Sequence, residues 1–352
     1  MKNIIFIALF IFLLISSCET KKKLPEPILP APQENGKYSN GCFIINEGNY
    51  LAGNAEISFL SFNNYQIFQD IFKEETKKNL GDVAQSAILH DTLLLVCVNN
   101  SGKIEMVGRK NFTHVATLSD GLLEPRYMTV HQHKLYVSDW GINGIRVFDL
   151  THFKAITTLT TNDHPEQLLT VGSEIWVANT GGCFRPDDST VSIIKTTDNT
   201  VKSLKVGENP TQIATHKDGT IIVLCIGKRQ QPTCQRISEP ELVAISPQTQ
   251  TILWRKKLGN KGFSQMILSD ENYYLNGTDG IYRWNGSGDF PSTPYIKGNF
   301  YGFNVQPITQ QVYGLDAIDF TQRGWLKRYQ NNGIPIDSFR VGMIPNSTVF
   351  NP

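Results

Sequence analysis

The side chains able to do chemistry are scattered along this sequence instead of gathered into a motif. Seven histidines, His90, His114, His131, His133, His152, His164 and His216, are dispersed over the chain. There is no HExxH, CxxC, GxSxG or phosphate-binding glycine loop. His131 and His133 are two apart and would share a face if both stood on one strand, but two histidines without a third ligand nearby make a poor metal site. No metal, cofactor or catalytic residue is expected. The sequence instead offers neutral amides and aromatics in its turns. The candidate ligand contacts are Tyr50, Asn100, Arg126, Tyr127, Asp139, Trp140, Gln167, Asn179, Phe184, Arg185, Gln212 and Asn276. Aromatic rings supply contact area, and Asn and Gln supply paired donors and acceptors, which suits a large, mostly uncharged ligand bearing amides. Asn and Asp are also what tight turns require, because they tolerate positive φ and bond their own backbone. Tyr50, Trp140, Phe184, Arg126 and Arg185 are harder to explain as turn formers.

The six cysteines divide by context. Cys42, Cys97 and Cys225 are flanked by Ile, Val and Leu and read as buried free thiols. Cys183 and Cys234 lie in polar insertions, Gly181-Gly182-Cys183-Phe184-Arg185-Pro186 and Gln231-Pro232-Thr233-Cys234-Gln235. These insertions follow the same strand of neighbouring repeat units, so a Cys183–Cys234 disulfide is expected in an exported protein.

The elements that would position these side chains are set by internal repetition. A short apolar run ending in a polar turn occurs as CFIIN, LLVCVN, LYVS, IWVAN, IIVLC, YYLN and QVYGL. Taking Ile45, Val98, Val137, Val177, Val223, Tyr274 and Tyr313 as equivalent, the spacings are 53, 39, 40, 46, 51 and 39. A shortest period near 40 suits the four-stranded blade of a propeller. Second and third runs follow, such as Gly144–Asp149 and Ala155–Leu159. Then Glu124-Pro125-Arg126, His164-Pro165-Glu166 and Asn209-Pro210-Thr211 each open another strand. A sandwich would not repeat one unit seven times, and a β-helix has a shorter period. Helical periodicity is scarce. The ordered domain opens at Gly41 in mid-unit, and the C-terminal stretch from Val341 to Phe350 supplies the missing element. The expectation is all-β: a seven-bladed propeller over residues 41–352, closed by pairing of its N- and C-terminal strands in one blade. Gln85, Gln167, Gln212 and Gln265 are expected at equivalent places, as a ring of amides near the channel.

Ahead of that domain, residues 1–17 read as a signal peptide: Lys2, an apolar run from Ile4 to Ile15, then Ser16-Ser17-Cys18. The 12-residue run is short of the roughly 20 a membrane span needs. Ile15-Ser16-Ser17-Cys18 resembles a bacterial lipobox, which makes Cys18 the expected lipid attachment and the acyl chains the expected contact with the membrane. Residues 18–40, with Lys21-Lys22-Lys23 and four prolines from Pro25 to Pro32, read as an extended linker. Lys plus Arg is 33 against 32 for Asp plus Glu, so no basic excess exists for nucleic acid.

Val206-Gly207-Glu208-Asn209-Pro210 and Val177-Ala178-Asn179 resemble the YVTN-type propeller repeat. Asn46-Glu47-Gly48-Asn49, Leu80-Gly81-Asp82-Val83-Ala84-Gln85-Ser86, Tyr136-Val137-Ser138-Asp139-Trp140-Gly141 and Pro165-Glu166-Gln167 resemble a family of surface-layer-like bacterial lipoproteins. Some members of that family capture cobalamin at the cell surface and pass it to a TonB-dependent transporter; others have no known ligand. The resemblance implies a non-enzymatic outer-membrane lipoprotein that binds cobalamin or a related corrinoid, with Arg126 or Arg185 for its phosphate. A partner-binding scaffold and a lactonase-like hydrolase are the alternatives. Cell-surface placement is expected, with the periplasmic face left open, because Lys21-Lys22-Lys23 is not the acidic run of many surface-exported lipoproteins.

Overall fold

The computed structural model describes residues 36–182 and 185–352. Cys18, Cys183 and Phe184 lie outside the described residues, as do the expected signal peptide and most of the linker. No side-chain position is described for Arg185. Among the described residues no helix is long and apolar enough to cross a membrane.

Seven four-stranded antiparallel sheets are arranged as the blades of a propeller. Their innermost strands, taken from blade one to blade seven, are Pro345–Asn351, Ala84–His90, Pro125–His131, Pro165–Val171, Pro210–Thr215, Phe263–Ser269 and Gly302–Val305. Each of these strands touches the next, and the last touches the first, so they form a closed circuit around the axis. Blade one is composite. Its inner strand, Pro345–Asn351, pairs with Gly41–Asn46 in a register running from Gly41 opposite Asn351 to Ile45 opposite Ser347. The closure expected from the two chain ends is what the structure contains.

The repeated apolar run is the second strand of every blade, and its burial explains its composition. In Leu93–Val98, Leu94, Val96 and Val98 pack against blade one with Phe43, Ile45 and Phe59. Leu95 and Cys97, on the other face, pack against blade three with Met128, Leu135 and Val137. Both faces are dry, so the strand reads as a continuous apolar run instead of an alternating one. Seven such clusters, one at each blade interface, make up the core. Outer strands behave differently: Thr251–Lys257 alternates exposed and half-buried positions, as a strand with one wet face must.

Cys42, Cys97 and Cys225 are free and buried inside these interface clusters. Burial raises all three thiols, that of Cys42 to about 12, so none presents a thiolate at neutral pH.

Two details depart from the sequence expectations. Packed chain begins before Gly41: Tyr38 is fully buried against Phe59 and Phe112, and its hydroxyl donates to Glu75 Oε1 at 2.6 Å. An aromatic among polar residues carried the signal that residues near 38 belong to the core. His131 and His133 do not share a strand face. His131 ends the strand Pro125–His131, and His133 sits in the hairpin turn beyond Gln132, whose φ is 56°.

The ring closure is held partly by one amide. Asn351 is 1% exposed, and its Nδ2 donates to the backbone carbonyls of Tyr38 at 2.7 Å and Arg109 at 3.2 Å. Asn351→Ala removes this cross-link between the C-terminal strand, the N-terminal entry and blade two. Two buried carbonyls lose a donor, so urea unfolding is expected to show a loss of about 1–3 kcal/mol. An unchanged midpoint would mean that the main-chain ladder closes the ring without it.

Candidate functional site

The second strands end, and the inner strands begin, on the same face of the propeller: Pro125 stands opposite Asp139, Pro165 opposite Asn179, and Phe263 opposite Gly277. On this face the first turn of five consecutive inner strands, in blades two to six, is irregular. The register shifts between Ala84 and Ser86, Pro125 and Met128, Pro165 and Leu168, Pro210 and Gln212, and Phe263 and Gln265. Blade one shifts likewise where Asn46 meets Pro345. Such bulges add an unpaired residue and re-aim its side chain. Here the added residues are Gln85, Arg126, Glu166, Thr211, Ser264 and Asn346, and all of them line one axial cavity of ≈ 300 Å³. The residues that follow them, Tyr127, Gln167, Gln212, Gln265 and Ser347, line it as well. Blade seven contributes no bulge. Its strand opens with Gly302, where any side chain would run into the backbone of Asn346.

The expected amide ring is therefore offset by one place. Gln167, Gln212 and Gln265 are equivalent, but Gln85 occupies the position of Arg126, Glu166 and Thr211. Two of the glutamines also have structural work. Gln167 Oε1 accepts from Ile213 N at 2.8 Å and Gln265 Oε1 from Phe303 N at 3.1 Å, each stapling its blade to the next.

Among the described residues the cavity carries one cation and two carboxylates. Arg126 gives Nε and Nη2 to Glu166 at 3.0 and 2.7 Å and Nη1 to Gln85 Oε1 at 2.5 Å. Its guanidinium lies 3.9 Å from the ring centre of Trp140, which meets His164 edge-on at 5.0 Å. Burial alone would lower the Arg126 pKa, but the charge and hydrogen bonds of Glu166 outweigh it and hold the guanidinium above its ordinary value. Arg126 is thus already paired at two points, stacked and capped, so it is not an open phosphate site. Glu47 is the other carboxylate. It follows the strand Gly41–Asn46 and receives hydrogen bonds from Asn346 Nδ2 at 2.8 Å and Tyr301 Oη at 2.9 Å. Burial pushes its carboxyl above the usual range, against the pull of those two donors and the more distant charge of Arg126. Burial and the neighbouring Glu47 also raise the Tyr301 phenol.

The rim is aromatic. Tyr50 and Leu51 are 70% and 75% exposed, and Tyr301 meets Phe320 edge-on at 5.3 Å. Asn49 Nδ2 ties the first rim loop to the last through Phe320 O at 2.7 Å. A second cavity of ≈ 310 Å³ adjoins the first; it is lined by Asn276, Phe300, Phe320 and Arg229 and shares Ser264 and Tyr301 with it.

The structure thus brings together Arg126, Tyr127, Gln167 and Gln212 in the axial cavity, with Trp140 beneath Arg126 and Asn276 on the wall of the adjoining one. Tyr50 is exposed in the loop that follows Glu47 and lines neither cavity. Asn100 donates to Asp82 Oδ2 at 2.6 Å. Asp139 and Asn179 are fully buried and serve the fold. The Asp139 carboxylate accepts from the backbone N–H groups of Leu123, Glu124 and Gly141, and Asn179 donates to Thr190 and Ser192. Asn276, besides lining its cavity, donates to Phe300 O at 2.8 Å. Sequence reasoning did not single out Tyr301 or Asn346. The second was accessible, because Pro345-Asn346 repeats the pattern of Pro125-Arg126, Pro165-Glu166 and Pro210-Thr211. Among the described residues no three His, Cys, Asp or Glu side chains gather to hold a metal ion.

Comparison with known proteins bears on the fold and the family. A family model described as a domain of unknown function, DUF5074, matches residues 40–350. No curated protein matches the chain. Among solved structures, a quinonprotein alcohol dehydrogenase-like protein from Bacteroides thetaiotaomicron superposes with a TM-score of 0.69 at 14% identity, over 90% of this chain and 79% of that one. A functionally unknown protein from Desulfotomaculum acetoxidans gives 0.66 at 12% identity, over 89% and 99%. These likenesses are of fold alone. The family match spans nearly the whole propeller, so the chain belongs to the DUF5074 family.

One outcome follows from the geometry and one from the sequence. Because the folded state holds the Glu47 proton more tightly than the unfolded chain, its ionisation costs stability. That cost is full above the raised pKa and disappears as pH falls below the ordinary value of 4.5. The melting-temperature difference between Glu47→Gln and the parent is therefore expected to move in the parent's favour from pH 7 to pH 4; a difference constant with pH would contradict the assignment. For the Cys183–Cys234 bridge expected from the sequence, non-reducing peptide mapping of protein made in an oxidising compartment is expected to give one cross-linked peptide, and recovery of both as free alkylated thiols would exclude the bridge.

Proposed function

We propose, from the premise of a DUF5074 propeller, that the chain is a non-enzymatic lipoprotein of the outer membrane that binds a ligand on its loop face. Cobalamin or a related corrinoid is the ligand class we propose, delivered to a TonB-dependent transporter. The observation that carries this reading is the convergence of inner-strand bulges from six blades on one polar, amide-lined mouth with an aromatic rim. Side chains from six separate strands meeting at one point make a rigid, largely pre-formed site, the kind that binds without closing a lid. The resemblance to surface-layer-like, YVTN-type lipoproteins supports the choice of ligand class, and a corrinoid's peripheral amides and flat apolar ring match Gln and Asn donors beside Tyr50, Tyr301 and Phe320. The axial cavity, at ≈ 300 Å³, is too small to enclose such a molecule. The ligand would lie across the rim with a side arm in the cavity. Cys18 as the acylated residue, the linker after it and placement at the cell surface belong to the same proposal.

Calorimetric titration of the acylated full chain in detergent with cyanocobalamin, then cobinamide, tests it. Saturable binding at one site is expected, weaker in the Tyr50→Ala variant, which removes an exposed rim aromatic at little risk to the fold. The two ligands together report whether the nucleotide tail takes part. No heat and no rise in melting temperature with either ligand would overturn the corrinoid reading.

A further inference from the structure

Among the described residues, the fully buried side-chain oxygens of the axial cavity left without a hydrogen bond are those of Asn346, Ser347 and Thr348. They gather where blade one is closed. Asn346 is 5% exposed, and its Nδ2 faces three acceptors: Glu47 Oε1 at 2.8 Å, Gln85 O at 2.9 Å and Ala84 O at 3.2 Å. Those three contacts fix which end of the amide is the nitrogen. The opposite atom, Asn346 Oδ1, is buried and has no hydrogen-bond partner, and neither has the hydroxyl of the next residue, Ser347. Both residues line the cavity beside Glu47. Among the described residues no Lys or Arg forms an ion pair with the Glu47 carboxylate, and the cavity's guanidinium is committed to Glu166. A buried acceptor left empty costs free energy, and so does a carboxylate without a counter-charge. The unpaired oxygens and the carboxylate of this corner are thus complementary to a group rich in N–H donors.

We propose that the Glu47–Asn346–Ser347 corner is a subsite for the nitrogen head group of a ligand arm, either a primary carboxamide or a primary ammonium. One N–H meets Glu47 and a second meets Asn346 Oδ1; the phenol of Tyr301, already donating to Glu47, walls the opening. The proposal rests on the loop face being a ligand site and deepens that reading, since a corrinoid arm ends in a primary carboxamide. It does not depend on the ligand being a corrinoid.

The test uses the intact chain and small probes: propionamide, n-propylammonium and, as the anionic and hydroxylic controls, propionate and n-propanol. Ligand-observed NMR is expected to detect the first two at about millimolar affinity, the level so few heavy atoms can reach, and not the controls. Glu47→Gln keeps an acceptor but loses the charge. It is expected to weaken propylammonium at least tenfold and propionamide by a small factor, while Glu47→Leu abolishes both. Ile308→Ala, a change at an exposed turn residue that lines neither cavity, is expected to retain both probes. Binding of propionate in preference to the nitrogen probes, or equal binding by the parent and Glu47→Leu, would overturn the subsite. If the nitrogen probes bind and cyanocobalamin does not, the corrinoid reading falls and the subsite stands. If cyanocobalamin binds with the same affinity to the parent and to Glu47→Leu, the subsite falls and the corrinoid reading stands.

Discussion

Everything in this molecule depends on one antiparallel ladder, the pairing of Pro345–Asn351 with Gly41–Asn46. A ring of seven sheets buries its apolar surface between blades, so each second strand needs a neighbour on both faces. Without the C-terminal strand, the cluster that joins Cys42, Ile44 and Leu60 to Leu315 and Leu326 would lose Phe350, and blade one would lose its inner strand. The inner circuit of strands would also be open. The same ladder builds the proposed subsite. Glu47 is the residue that leaves the N-terminal strand and Asn346 the second residue of the C-terminal one, 299 positions later. Closing the fold and assembling the corner are one event.

The mouth owes its shape to a second constraint, the bulge repeated at the start of six inner strands. A regular strand in a propeller sends its side chains into the two interfaces that flank its blade. An added residue escapes that alternation and faces the axis. This is why residues as different as Gln85, Arg126, Glu166, Thr211, Ser264 and Asn346 occupy equivalent places: the position is set by backbone irregularity, and the side chain is free of packing demands. Blade seven shows the converse. Gly302 yields its place so that the backbone of the closing strand can approach, and the axial polar function passes to Tyr301 in the preceding turn.

Those two constraints explain what could be read from the sequence. The second strands were legible because burial on both faces leaves an unbroken apolar run, and seven copies at a period near 40 leave little choice of architecture. The composite blade was legible because both chain ends carried recognisable parts of the unit. The site was legible in outline only. Pro-x pairs marked Arg126, but nothing local marks a bulge, so Gln85 was aligned one place from where it stands. Asp139 and Asn179 have the composition of ligand contacts, yet they sit at the ends of second strands, where loop N–H groups and neighbouring hydroxyls need a partner. Glu47 lay in plain view as a turn residue. Its importance appears only once Asn346 and Tyr301, distant in sequence, are placed against it.

The distribution of charge around the axis decides how such a mouth can recognise anything. Recruiting Arg126 for an anion would strip Glu166 of a two-point partner and leave that carboxylate buried. Breaking a buried pair in this way costs about 3–5 kcal/mol, which the new contact would have to exceed. Approaching Glu47 carries no such cost, because no cation has to leave and two acceptors are already waiting. Ionised, Glu47 makes the cavity negative by one charge, and this charge lies on the side where the unused acceptors are. A ligand would therefore be oriented by its N–H donors, with anionic parts held away from the axis, toward the rim. On the proposed reading, the corner beside the closing strand, and not the arginine at the centre of the ring, is where the mouth would distinguish one ligand from another.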